Sequence, residues 1–157
     1  WLRLAEEMDA PRMVSIQNEY SLVCRLFDTD LAELAVHEKV DLLAYSPLGA
    51  GLLTGKYAGG ARPQGSRASV NGDLGGRITP RSEAAAAAYA GIAARHGLSA
   101  VHMALAWCLT RPFMGSVIFG ATSAAQLGHI LEGVGTTLPQ EVLDEIAAVH
   151  RAHPMPY

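Results

Sequence analysis

Gly49, Gly51 and Gly55 precede Lys56 in the stretch YSPLGAGLLTGKY, residues 45–57, and glycines leading to a lysine suit a loop that holds a phosphate. Glycine lets backbone N–H groups approach an anion closely, and the ammonium adds charge. Two known motifs nearly fit. The dinucleotide fingerprint needs G-x-G-x-x-G, whereas these glycines are spaced G-x-G-x-x-x-G. A P-loop needs a glycine where Ala50 stands and Ser or Thr where Tyr57 stands, and no helix is expected directly after Gly55 to supply an N-terminus. A phosphate here would be held by loop backbone and side chains.

The charge distribution supports that reading. From Gly49 to Arg81 five basic residues, Lys56, Arg62, Arg67, Arg77 and Arg81, face one acid, Asp73, in a chain whose net charge is -3. A pyrophosphate, or the 2′-phosphate that distinguishes NADP from NAD, favours guanidinium forks or a lysine. Lys56 and Arg67 are the candidates.

Other chemistries find less support. The six histidines, at 37, 96, 102, 129, 150 and 153, form no H-E-x-x-H or similar pattern, so no metal site is expected. Cys24 and Cys108 match no disulfide or metal spacing and read as reduced core thiols in a cytoplasmic setting. The acidic balance argues against a nucleic-acid partner, and no apolar run reaches the roughly 18 residues of a membrane span. Half of the 157 residues are hydrophobic and 17% charged, the composition of a globular domain with a real core. Opening at Trp1 within helical spacing, the chain reads as a fragment.

These groups need a scaffold, and its order is legible. Apolar runs at 13–17 (MVSIQ), 41–46 (DLLAYS) and 116–120 (SVIFG) predict three strands. Asp30 and Glu33 resemble a capping box for a helix to Lys39. Thr79 and Pro80 open a helix closed by Gly97; Ser99 caps another that ends before Pro112; Ser123 caps one to Glu132; a last helix starts near Pro139. No period holds from Gly49 to Thr79, which predicts a long functional loop. Apolar strands alternating with helices predict a parallel α/β sheet covered on its faces. Gln17 and Asn18, Tyr45 and Ser46, and Gly120 to Ser123 all fall at carboxyl ends of strands, where ligand groups collect in open sheets and in barrels. A full (β/α)8 barrel takes about 250 residues.

The pieces IQNEYSL, LLAYSPLGAGLLTGKY, GSRAS, MALAWCLTRP and SVIFGATSAAQL, in this order, resemble the carboxyl-terminal half of an aldo-keto reductase, on the branch that includes the potassium-channel β subunits. The resemblance implies a (β/α)8 TIM barrel, of which residues 1–157 would be the second half, with the sixth to eighth strands and a cofactor loop at 45–79. It implies an NADP-dependent oxidoreductase, NAD being possible, that reduces a small-molecule aldehyde or ketone. Gln17 would bind the nicotinamide carboxamide and Tyr45 stack on the ring. Ser46, Pro47, Leu48, Gly49 and Ala50 would wrap the pyrophosphate, Lys56 and Arg67 would be basic cofactor contacts, and Gly120, Thr122 and Gln126 would hold the phosphate and adenosine end. Where the family often has Glu and Asn beyond that glutamine, this chain has His129 and Ile130. The family's catalytic tyrosine, lysine, aspartate and histidine lie on earlier strands, so no catalytic residue is assigned, to Tyr20, Tyr57, Tyr89 or Tyr157 or to any other, and the fragment alone would be inactive. A cofactor-binding regulatory subunit is the alternative that the channel-subunit likeness suggests.

Overall fold

Three five-residue strands, β1 (Ser15–Glu19), β2 (Asp41–Tyr45) and β3 (Met114–Ile118), lie side by side, all parallel, in the order of the chain. The structure is a computed structural model that describes all 157 residues. The helices are α1 (Leu2–Glu7), α2 (Leu26–Asp30), α3 (Ala32–Glu38), α4 (Arg67–Val70), α5 (Pro80–Arg95), α6 (Ala100–Leu109), α7 (Ala124–Glu132) and α8 (Gln140–Ala152). None is long and apolar enough to cross a membrane.

Both outer strands differ in extent from the sequence reading. β1 runs from Ser15 past Gln17 to Glu19, and the carbonyl of Val14, just ahead of it, accepts from the Asp41 amide at 3.1 Å. β3 starts two residues early, at Met114, and ends at Ile118. A break in pairing between Leu42 and Leu43 leaves Gly115 over Asp41, where a Cβ would lie 2.7 Å from the Asp41 Cβ. The proposed capping box at Asp30 does not form: Asp30 ends α2, and Leu31 separates it from α3 without a side-chain cap. Other caps form as read. Thr79 and Ser82 make a reciprocal capping box with Pro80 at the first helical position, and Ser99 and Ser123 accept from the third helical amides of α6 and α7.

The sheet is covered on one face only, where two-sided cover was expected. Leu42 and Ala44 are fully buried on the helix side, joined by Ile16, Met114 and Val117. On the other face Gln17, Asp41, Tyr45 and Ile118 are exposed. Strands in sequential order, each joined to the next by a right-handed crossover, place all their helices on the same side.

The covered face packs on an aromatic knot. Tyr20 stacks on Trp107 at 5.4 Å and meets Phe113 edge-on at 5.6 Å. Its hydroxyl donates to Asp28 at 2.7 Å, and Asp28 also accepts from Arg25 Nε at 2.7 Å. Tyr89, equally buried, has no hydrogen-bond partner for its hydroxyl. The two tyrosines should therefore respond oppositely to loss of the hydroxyl. Tyr20→Phe takes from the Asp28 carboxylate one of its two donors and should cost about 1–3 kcal/mol in denaturant unfolding, whereas Tyr89→Phe should be neutral or stabilising.

Candidate functional site

The segment leaving each strand builds the carboxyl edge of the sheet. After β1 the chain turns tightly through Tyr20 to Arg25, with the Ser21 hydroxyl accepting from the amides of Val23 (3.3 Å) and Cys24 (3.2 Å). After β2 it enters a run of left-handed residues: Ser46 (φ 52°), Gly49 (57°), Ala50 (55°) and Gly51 (105°). Ser46 and Ala50 bear a conformation that costs an ordinary side chain free energy, a strain that clusters at ligand sites. Gly49 is required here, since a Cβ would lie 2.9 Å from Val23 Cγ2 of the neighbouring turn.

This winding sorts the loop's donors. The amides of Gly49 and Gly51 donate to the carbonyls of Ser46 (2.8 Å) and Leu48 (3.0 Å), while those of Ser46, Leu48 and Ala50 find no acceptor within the chain. Pro47 and Gly49 are buried, whereas Ser46, Leu48 and Ala50 are half-buried. Three donors at alternate positions remain for a ligand.

The long loop expected at 49–79 is ordered by its own small core. Short 3-10 turns at Gly49–Thr54 and Ala58–Gly60, together with α4, fold around Leu52, Tyr57, Ala68 and Leu74. The Ala68 amide donates to the Tyr57 hydroxyl at 3.2 Å, which draws the neighbouring residues Lys56 and Arg67 into one region. Lys56 folds back across Gly51, where a Cβ would lie 2.8 Å from Cε, and its ammonium is 5.2 Å from the Tyr57 ring centre. Lys56 and Arg67 are exposed, and neither has a carboxylate within ion-pair distance.

The other cations of the loop are engaged. Arg62 approaches Glu83 at 3.9 Å, and Arg81 donates to the Pro154 carbonyl at 2.9 Å. Arg77 is no solvated bystander: it grips Glu19, 58 residues away, through Nε at 2.9 Å and Nη2 at 2.7 Å. Tyr157 donates its hydroxyl to the same carboxylate at 3.0 Å, and Thr79 donates to the Pro156 carbonyl at 2.9 Å. Hydrogen bonding to Glu19 raises the Arg77 pKa, so the guanidinium stays charged. The sequence reading missed Glu19 and Tyr157, because no local spacing signals a bond between distant segments.

Tyr45 closes β2 in register with Glu19 of β1 and Ile118 of β3, and it is 37% exposed. It borders a cleft of about 320 Å³ lined also by Asn18, Glu19, Cys24, Leu26 and Asp30. Gln17 lies one step deeper, mid-strand beside Leu43, and is exposed on the uncovered face. At the third strand Gly120 is exposed two residues past β3, and Gln126 Oε1 accepts from the Thr122 amide (3.0 Å) and hydroxyl (3.1 Å). Ile130 is buried and offers no polar contact.

Tyr20, Tyr89 and Tyr157, outside the edge, are shifted away from proton transfer near neutrality. Burial pushes Tyr89 up to about 12 and raises Tyr20 and Tyr157 further, with Asp28 and Glu19 adding to the latter two. A general acid working near neutrality needs the opposite shift. Burial also raises both thiols, Cys24 and Cys108, the latter to about 12.

The sequence profile of the aldo/keto reductase family matches residues 2–151. The chain is 45% identical to "Protein tas" of Escherichia coli (strain K12) over 156 residues, 99% of this chain and 45% of that protein. It is 31% identical to a "Probable voltage-gated potassium channel subunit beta" of Arabidopsis thaliana, over 96% of this chain and 48% of that one. In three dimensions it is similar to the glycerol dehydrogenase of Gluconobacter oxydans, with a TM-score of 0.72 and 25% identity over 96% of this chain and 47% of that structure. The chain thus spans about half the length of the relatives it matches.

The Glu19 clamp yields a prediction. Arg77→Met leaves a mostly buried carboxylate without its partner. It should cost about 2–3 kcal/mol, below the ~3–5 of a fully buried pair because solvent reaches part of both groups. Denaturant unfolding reads that cost, and limited proteolysis should show faster cutting within residues 55–76.

Proposed function

The chain belongs to the aldo/keto reductase family, and we propose that it is the nicotinamide-cofactor-binding part of an oxidoreductase that reduces aldehydes or ketones to alcohols. The observation that carries this reading is the loop after β2. It combines three free amides at Ser46, Leu48 and Ala50 with two unpaired cations, Lys56 and Arg67, beside an exposed aromatic ring at Tyr45. Amides arranged in this way suit a pyrophosphate. A flat tyrosine face suits the nicotinamide ring.

In this reading Tyr45 lies against the nicotinamide, and Gln17 offers its amide to the carboxamide from the uncovered face. Ser46, Pro47, Leu48, Gly49 and Ala50 enclose the pyrophosphate. Gly120, Thr122 and Gln126 receive the adenosine end, with the Gln126 side chain held in place by Thr122. Lys56 and Arg67 take the 2′-phosphate, which makes NADP the cofactor, with NAD the weaker ligand. The bound cofactor supplies a hydride; the residues named here bind and orient it.

The fold reading goes with it. Sequential parallel strands with helices on one side suit a (β/α)8 barrel, and the uncovered face would line the barrel interior. Residues 1–157 would then be its second half, a fragment without catalytic activity, with the catalytic groups on earlier strands and the loop 45–79 serving the cofactor. The likeness to a channel β subunit keeps open a protein that binds the cofactor in order to regulate a partner. Such a protein would bind NADPH and turn over no carbonyl substrate.

Arg67→Ala in the intact protein should weaken NADPH by about tenfold or more, since a charge-assisted contact contributes ~1.5–3 kcal/mol, and leave NADH nearly unchanged. Quenching of tryptophan fluorescence during titration measures both. Equal losses for the two cofactors would remove Arg67 from the 2′-phosphate, and no binding of either would overturn the cofactor reading.

A further inference from the structure

Two clusters of ionisable side chains have no role in the cofactor reading, and they differ in how far they are satisfied. His96, Glu141 and Glu145 meet between α5 and α8. There Glu145 already accepts from both His96 (2.8 Å) and Arg95, which together hold its carboxyl below the usual range. The Arg95 charge beside it opposes any further cation.

The second cluster has no such cation. His102, in the first turn of α6, and His129, in the last turn of α7, lie ring to ring with centroids 4.6 Å apart. Glu132, three residues beyond His129, places Oε2 3.5 Å from His129 Nδ1 and has no lysine or arginine partner. One ligand atom from each of the three lies within 4.8 Å of the others. We propose that His102, His129 and Glu132 form a binding site for a borderline-soft divalent metal ion of the zinc class, bridging α6 to α7.

The hydrogen bonds around the two rings favour this use. His102 Nε2 lies 2.6 Å from the His129 carbonyl oxygen, so it carries the proton and leaves Nδ1 with its lone pair. His129 Nε2 lies 3.1 Å from the Ser99 hydroxyl, which turns Nδ1 toward Glu132. Imidazoles that ligate metals are oriented in this manner, one nitrogen held by a carbonyl or hydroxyl and the other facing the ion. Gly133 makes room, since a Cβ there would run into the His102 ring. Tetrahedral bonds of about 2.0–2.2 Å need ligand atoms roughly 3.3 Å apart. His129 and Glu132 are exposed and can close that gap toward the half-buried His102 by small rotamer changes, and water completes the coordination. Two nitrogens and one carboxylate select zinc, cobalt, nickel or copper over magnesium or calcium.

Sequence spacing gives no hint of this site, because His102 and His129 come from different helices. It is also independent of the cofactor reading. The intact protein, stripped with a chelator, should bind one Zn²⁺ per chain in calorimetric titration at neutral pH, and Co²⁺ should give the visible absorption of a four-coordinate site. Mg²⁺ should not compete. His102→Ala and Glu132→Gln should each weaken Zn²⁺ by more than about 100-fold, beyond the ~10–100-fold of losing an outer partner. Glu132→Gln is surface-exposed and keeps its size, so its thermal melt should match that of the parent protein without metal; Zn²⁺ should raise only the parent's melting temperature. His96→Ala should bind as the parent does. The proposal fails if the parent takes up no Zn²⁺, if both site variants bind as tightly as the parent, or if the loss follows His96→Ala.

Discussion

Glu19 is the hinge of the arrangement at the sheet's carboxyl edge. Its carboxylate closes β1, takes two hydrogen bonds from Arg77 of the long loop and a third from Tyr157 of the tail, and stands in register with Tyr45. Three segments far apart in sequence converge on one charge. Both partners of the ion pair are largely removed from water, so the interaction is strong only while the pair is complete. The loop that carries Lys56 and Arg67 is anchored at one end by this clamp and at the other by the packing of Gly49 on Val23. Between the anchors, Leu52, Tyr57, Ala68 and Leu74 give it a core of its own.

How much of this could be read from the residues depends on the range of the interaction. Caps act within four residues, and those at Thr79, Ser99 and Ser123 were legible, as was the left-handed Gly97 beyond α5. Strand ends were less so, because a strand can continue through polar residues: β1 runs on from the apolar stretch through Asn18 and Glu19. Asp30 and Glu33 have the spacing of a cap, yet Asp30 is already the last residue of α2, and Leu31 stands at the cap position of α3. The positions of Tyr45 to Ala50 and of Gly120 to Gln126 at strand ends were visible in the sequence. The pairing of Arg77 with Glu19 was not, and Arg77 looked like one more surface cation.

The loop's cations divide by partner. Arg62, Arg77 and Arg81 serve the fold through Glu83, Glu19 and the Pro154 carbonyl, leaving Lys56 and Arg67 without acids. Glycine is used with similar economy. Gly49 is needed for close approach to Val23, whereas Gly51 and Gly55 are called for by their backbone turns, at φ 105° and 79°. Near-misses to phosphate motifs are therefore poor guides by themselves; in this loop the spacing of glycines reflects its own packing and backbone turns.

The bond from Tyr157 to Glu19 spans 138 residues, which bears on the order of events during synthesis. Chains emerge amino end first, and local structure forms as it appears. The strands and the first helices can assemble early, whereas the loop's small core, against which Tyr157 also packs, is completed only by the tail. The third hydrogen bond on Glu19 cannot form until residue 157 has left the ribosome. On a nascent chain the clamp at the sheet's carboxyl edge is therefore completed late.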